Sequence, residues 1–559
     1  MMRPTLSTPL SLARHALRRS SPLLSPAHTR TVATNTATAT APAPPKRAGD
    51  ISDAFASLSG GSAAAPLGAP YAAQKARLVA GTRDAFAASW PRLLARLRAE
   101  AAALRAARSA AVPEVAFAEV AAGRAAGGAF AAAYRRAGVA VVRGVLGERE
   151  ALALKDAVRA YIAANPRTRA FPPADPQVWE VYWSAAQVRA RSHPNLLAVQ
   201  RFLMGFWKAD EHALISVDHP VSYADRLRLR QPGDSQFALG PHIDGGSVER
   251  WEDGGYGLGG NGKGVYSEIW KGNWEEYDPW DANVRLGVVS DLYQGVGACS
   301  MFRMAQGWLS MSEVGAGEGH LMVNPMLRGA TAYVLMRPFF EPKRSLEQVG
   351  TEDYLKPENW KLEDETSVRL LSVNSTNLAN CLLTARRVSS KELLPATVRS
   401  SMTCSTHISI CTPLWCICPM SDRVTLWRGT VTVCIVYSHV CLSDINSIVA
   451  IHSVDKTHAG RSDSSVLYIP VCPLTEHNAQ YLRRQRDTFL NGTPSPDFGG
   501  GEGESRHVGR PTVHDLPTMM DSNGLRAMGL MEWDSAAPGL SKGQREVMDR
   551  ANKELGFYM

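Results

Sequence analysis

A chain of 559 residues is too long for one ordinary core and points to a large domain with additions. Its 45% hydrophobic and 20% charged residues suit a globular protein, and the absence of any run of 18 apolar residues speaks against a membrane-spanning helix. The formal charge of +8 sits at the start, where Arg3, Arg14, Arg18, Arg19, Arg30, Lys46 and Arg47 precede the first acid, Asp50; removing those seven leaves +1, so a nucleic-acid partner loses its electrostatic support.

Residues 1–48 are rich in Ser, Thr and Ala and lack the apolar centre of a secretory signal. They read as a mitochondrial-type presequence ending in the Pro/Ala linker "TATATAPAPPKRAG", the alternative being a tail on a cytoplasmic protein. Residues 49–137 read as a helical N-terminal region, with 3.6-residue spacing in "SWPRLLARLRAEAAALRAA".

At Gly138 the texture changes. "GVAVVRGVL" predicts a strand and "GEREALALKDAVRAYIAANP" an amphipathic helix closed before Pro166. Trp179 to Trp207 predicts aromatic-rich helices. Beyond His212, short apolar runs broken by Gly, Pro and Asp predict many short strands, clearest in "ALISVDHPVSY", "NVRLGVVSDLY" and "TAYVLMRPFF". The G-x-G-x-x-G pattern from Gly257 to Gly262 has neither a preceding buried strand nor a following helix, so it reads as a loop.

"ALGPHIDGGSVERWED" carries His242-Ile-Asp244. On a strand, side chains two apart share a face, so an imidazole and a carboxylate can converge on one ion. A distant His would complete the 2-His-1-carboxylate triad that leaves positions open on Fe(II). The segment "IHSVDKTHAGRSDSSVLYIPVCP" offers His452, with His458 as its rival in a polar turn read as solvated. Arg461 comes nine residues after His452; in iron oxygenases that use 2-oxoglutarate an Arg just beyond the second His holds the far carboxylate, a task a planar guanidinium suits, so Arg461 is a candidate for that role, with Ser464 or Ser465 assisting. Arg226, Arg250 and Trp251 flank the His-x-Asp segment and are candidate contacts to an anionic small substrate, the alternative being salt bridges and packing. Helical patterns return in "EHNAQYLRRQRDTFL" and "SKGQREVMDRANKEL".

Four stretches, "YADRLRLRQPGDSQFALGPHIDGGSVERWED", "GVYSEIWKGNWEEYDPWDA", "IHSVDKTHAGRSDSSVLYIPVCPLTEHNAQYL" and "TPSPDF", resemble the YbiU-like domain-of-unknown-function family, itself related to phytanoyl-CoA-hydroxylase-like oxygenases. The resemblance runs from about Trp90 to the C-terminus. It implies a mainly β core within an α+β chain: a double-stranded β-helix (jelly roll, cupin-like) with helical additions at both ends. It also implies Fe(II) on His242, Asp244 and His452, 2-oxoglutarate on Arg461, and hydroxylation or oxidation of an unidentified small substrate. The alternative function is a non-catalytic jelly roll that binds a metal or small ligand. The domain would run in two parts, 138–371 with the His-x-Asp pair and 451–559 with the distal His and a helical tail.

Between them, residues 372–450 depart from the family and are expected to be aberrant and disordered. Seven of the nine cysteines lie between Cys381 and Cys441, too lopsided for a secreted disulfide framework, and Cys416-x-Cys418 is too tight for paired zinc spacings. Such oxygenases place a Gly-Asp strand eleven residues before the distal His, where this chain has Cys441. Reading permitted codons of Leu414 to Thr432 one frame over gives MVHMPDVRPGDTVAWHCD, a string absent from the chain. Removing a GT…AG intron from Val433 onward would join it to Ile451-His452 with the family's spacing. The block is therefore expected to be a frame and intron artefact, and the chain as it stands to be inactive.

Overall fold

The β-branched run "VAVVRGVLG" forms the longest strand described, Val139–Gly147, because such residues pack well on a pleated surface buried on both faces. The computed structural model describes residues 69–235, 238, 249–257, 264–294, 297–363, 416–417, 430–436 and 451–558. The presequence, the Gly-rich segment 258–263, His242 and Asp244 lie outside these residues.

In chain order the strands are β1 (Glu114–Ala116), β2 (Val139–Gly147), β3 (Ala170–Phe171), β4 (Val178–Trp179), β5 (Ile215–Val221), β6 (Leu227–Arg230), β7 (Gln306–Ser310) and β8 (Leu321–Val323). They continue with β9 (Phe340–Pro342), β10 (Trp360–Leu362), β11 (Cys416–Ile417), β12 (Thr430–Val436), β13 (His452–Val454), β14 (Ser464–Tyr468) and β15 (Cys472–Thr475). Eight strands form one sheet in the order β1-β2-β12-β7-β14-β6-β4-β3, antiparallel except for β1 with β2. A second sheet has the order β11-β8-β13, and β5–β15 and β9–β10 form separate antiparallel pairs. The described architecture is thus mixed helix and strand, with open sheets.

Alternation along the strands separates two cores. Ala140 and Val142 of β2, Leu227 and Leu229 of β6, Leu309 of β7 and Leu467 of β14 pack against helices including Glu148–Ala164 and Pro194–Met204. Their neighbours Val139, Val141, Trp308 and Tyr468 turn the other way and meet Leu321 and Val323 of the small sheet. The large sheet is therefore sandwiched between helices and the three-stranded sheet.

The N-terminal helices arise where expected. Helix Arg83–Ala107 buries Phe86, Trp90, Leu93, Leu94, Leu97 and Ala101 along one stripe, and Trp90 stacks on Phe340 with ring centroids 4.4 Å apart. This stripe shares a core with Trp251, Trp270 and Phe339, so the helical preface is part of the central body. The tail helices Glu476–Asn491 and Lys542–Glu554 form on the predicted segments, the second behind a Ser541/Gln544 capping box.

Three expectations change. "TAYVLMRPFF" is not a strand: residues Leu327–Met336 form a helix buried on nearly every side, and only Phe340–Pro342 is extended. A short apolar run has no exposed face to report its period, so burial hides helix from strand. "NVRLGVVSDLY" gives only a 3-10 turn at Asn283–Arg285 followed by loop. Within the block 372–450, expected to be disordered, Cys416–Ile417 pairs with β8, and Thr430–Val436 pairs with both β2 and β7 in the large sheet. The Val-Thr-Val run supplies β propensity whatever its origin. The rest of the block lies outside the described residues.

Candidate functional site

His452 opens β13, directly opposite Val323 of β8, while Val454 lies opposite Leu321. Directly paired residues share a face. Because Leu321 and Val323 pack on the large sheet, His452 faces the space between the two sheets, and it is fully buried. Arg228 and Arg230 alternate with Leu227 and Leu229 on β6, so they face the same space from the large sheet. Burial pushes the Arg228 guanidinium down to about 10, which leaves it charged at neutral pH.

Arg230 is the cross-tie of this region. Its Nε donates to Asp234 Oδ2 at 2.7 Å, Nη1 to the Asp455 carbonyl at 2.8 Å, and Nη2 to the carbonyls of Asp234 and Lys456, each at 3.2 Å. The segment leaving β6 is thereby fastened to the segment leaving β13. His458 completes the joint: its N–H donates to the Asp234 carbonyl at 2.8 Å, and its carbonyl accepts from Gly233 at 2.7 Å.

His458 is fully buried, not solvated as its polar turn suggested. Its Nδ1 accepts the Gly460 N–H at 3.1 Å, which places the ring proton on the buried Nε2. Burial first, and the charge of Arg230 second, hold its pKa below the usual imidazole range, so it stays neutral. With its lone pair engaged, His458 does not suit metal ligation, and of the two rivals His452 is the better placed. Room for the ring comes from Gly319 (φ +80), where a Cβ would lie 3.1 Å from His458 Cγ and 3.3 Å from Arg230 Nη1.

A further histidine went unnoticed in the sequence. His320 Nδ1 donates to Asp455 Oδ2 at 2.5 Å, and the N–H groups of Gly319 and His320 donate to the same oxygen at 3.2 Å. Burial alone would raise the Asp455 carboxyl, yet the His320 hydrogen bond and charge and these two N–H groups hold it below the usual range. Nothing in "GEGHLMV" marks His320 except its place before an apolar run.

Arg461 is exposed in the turn before β14. Ser464 donates to the Gly319 carbonyl at 3.4 Å, whereas Ser465 faces the helical side, hydrogen-bonded to Asp463. Asp463 also pairs with Lys155 at 3.4 Å and Arg159 at 2.8 Å. Arg226 pairs with Asp225 and lies over the Phe498 ring, 4.3 Å from its centroid. Arg250 is buried beside Tyr266, and Trp251 donates from Nε1 to the Leu335 carbonyl at 3.1 Å within the N-terminal helix core. Arg226, Arg250 and Trp251 are thus buried, each against partners inside the protein. Among the described residues no three His, Cys, Asp or Glu side chains are grouped to hold a metal ion.

Comparison with known proteins supplies the relationship. The Gig2-like family model matches residues 65–408 and 447–530. The chain belongs to the Gig2-like family. The match breaks at 409–446, inside the expected artefact at 372–450 and holding five of its seven cysteines, although it runs on past residue 372. The uncharacterized protein YbiU of Escherichia coli K12 is 26% identical over 409 residues, covering 71% of this chain and 80% of that protein. The crystal structure of Gig2 (GlcNAc Inducible Gene 2) from Candida albicans aligns with a TM-score of 0.67 at 24% identity, over 88% of this chain and 96% of the other. A protein of Salmonella typhimurium LT2, provisionally named an oxidoreductase, aligns with a TM-score of 0.58 at 24% identity, over 82% and 96%. Gig2-like proteins thus share this fold along most of its length.

Proposed function

We propose that this Gig2-like protein, in its correctly spliced form, is an Fe(II)/2-oxoglutarate-dependent oxygenase with a jelly-roll core, hydroxylating or oxidising a small molecule, with His242, Asp244 and His452 on the iron. The observation that carries this reading is the direction of His452: it is buried between two packed sheets, on a strand whose pairing turns it toward the space between them. Supporting it, the path from β6 to β14 passes between the large and small sheets, as in a two-sheet jelly roll. Among the described residues β13 is paired on one side only.

His452 fits a ligand role by burial and direction. When bound, iron would provide the centre at which 2-oxoglutarate and O₂ generate the oxidant. The protein's own part is to aim His452 through β13 and to exclude water with Trp308, Tyr468 and Val466. Arg461 does not fit as the co-substrate anchor, because its exposed guanidinium would bind a carboxylate in competition with water.

That misfit favours a second reading, a non-catalytic jelly roll that binds a metal or small ligand. Iron-dependent succinate formation that stops in His242→Ala separates the two. Iron binding without 2-oxoglutarate turnover supports the second reading, and metal-independent turnover ends the first. We also propose mitochondrial import through residues 1–48, to be tested by fusing them to a fluorescent protein; cytoplasmic signal would refute it.

A further inference from the structure

We infer that Arg230 is a positioning residue for His452, fixing the metal-ligand strand through main-chain carbonyls; this deepens the oxygenase reading and rests on the metal role given to His452. β13 is only three residues long, and its described ladder is with β8, itself three residues long. So short a pair has few hydrogen bonds of its own to hold a side chain in one direction. The segment just beyond β13 supplies the restraint. Arg230 reaches across from the large sheet and donates to the carbonyls of Asp455 and Lys456, three and four residues beyond His452. The Asp455 carboxylate is held in turn by His320, next to β8. The segment after β13 is thus fastened from both sheets, by Arg230 of the large one and by His320 beside the small one.

Geometry dictates the choice of arginine. One guanidinium here serves four acceptors from Nε, Nη1 and Nη2 in a fixed plane, and it is only 1% exposed. Lysine would keep the charge opposite Asp234 but cannot present the same planar fork. Arg230→Lys therefore separates charge compensation from geometric restraint. In the double variant Arg230→Gln/Asp234→Asn both charges disappear together, which avoids stranding a buried carboxylate.

The test is titration of the full chain with Co(II), followed by the ligand-field absorption bands, with far-UV circular dichroism as the check on folding. The expected result is that the wild-type chain binds Co(II), while Arg230→Lys keeps its secondary structure but binds about 10–100-fold more weakly, with altered bands, as for lost partners of metal ligands. The double variant should show the same loss if Arg230→Lys does not fold. Wild-type affinity and an unchanged spectrum in either folded variant overturn the inference while leaving the metal reading intact. No Co(II) binding by the wild-type chain overturns both.

Discussion

The hydroxyl of Tyr161 donates to Glu504 Oε1 at 2.9 Å, in the interior of the protein. The same carboxylate accepts the Tyr182 N–H at Oε2 (2.6 Å) and the Trp183 N–H at both oxygens (3.2 and 3.0 Å), so it fastens the tail to the segment before helix Ala185–Ser192. Burial outweighs these donors and pushes Glu504 up to about 7. A carboxyl raised on folding stabilises most below its unfolded pKa, near 4.3, and that stability fades as pH rises through about 7. Glu504→Gln should therefore gain on the wild type between those limits, by up to about 3 kcal/mol. Denaturant unfolding of both proteins at pH 4.5 and 7.5 measures it; parallel pH dependence would exclude the coupling.

His458 and His452 should differ in metal binding. The tautomer fixed by Gly460 makes His458 a donor at Nε2, so His458→Asn should retain Co(II) or Fe(II) at wild-type stoichiometry. His452→Ala should lose it. Metal analysis after gel filtration decides, and the reverse pattern would make His458 the ligand.

Gly319→Ala should destabilise the joint between the sheets. The new methyl would press on His458 and Arg230 at a left-handed backbone position, and overpacking there costs about 1–3 kcal/mol. Calorimetry should show a lower Tm, with little change from Gly317→Ala in contact energy, since nothing lies within 4 Å of that Cβ. Equal losses in the two would mean that φ alone, +80 at both, sets the cost.

Transcripts should be spliced between Val433 and Ala450 and read in the shifted frame before it, encoding GDTVAWHCDSIHSVD. A messenger RNA reading straight through residues 409–446 in the present frame, with robust activity of its product, would refute this. The position of β12 gives the question weight, since Thr430–Val436 fills the large sheet between β2 and β7.

Legibility in the sequence tracked the physics of each element. Amphipathic helices with one exposed face, such as Glu148–Ala164, were readable because polar residues mark the period. Helix Leu327–Met336 was not, since it is buried almost all round. At the site, the spacing to Arg461 and the family resemblance single out His452, but not its burial between two sheets or the exposure of Arg461. His320, Asp455 and Arg230 were not legible, because their partners lie 135, 225 and 226 residues away along the chain. His458 looked solvated because its neighbours in sequence are polar, while Gly319 and Gly460, which make room for the ring, carry no side chain to advertise it.

A clamp that grips carbonyls is blind to side chains. Arg230 holds residue 456 by its main-chain oxygen, and the exposed Lys456 side chain takes no part in that bond. Position 456 can therefore drift through evolution to almost any residue without loosening the strand that carries His452, whereas position 230 has no such freedom. Homologues that keep the joint should be variable at the gripped position and uniform at the gripping one.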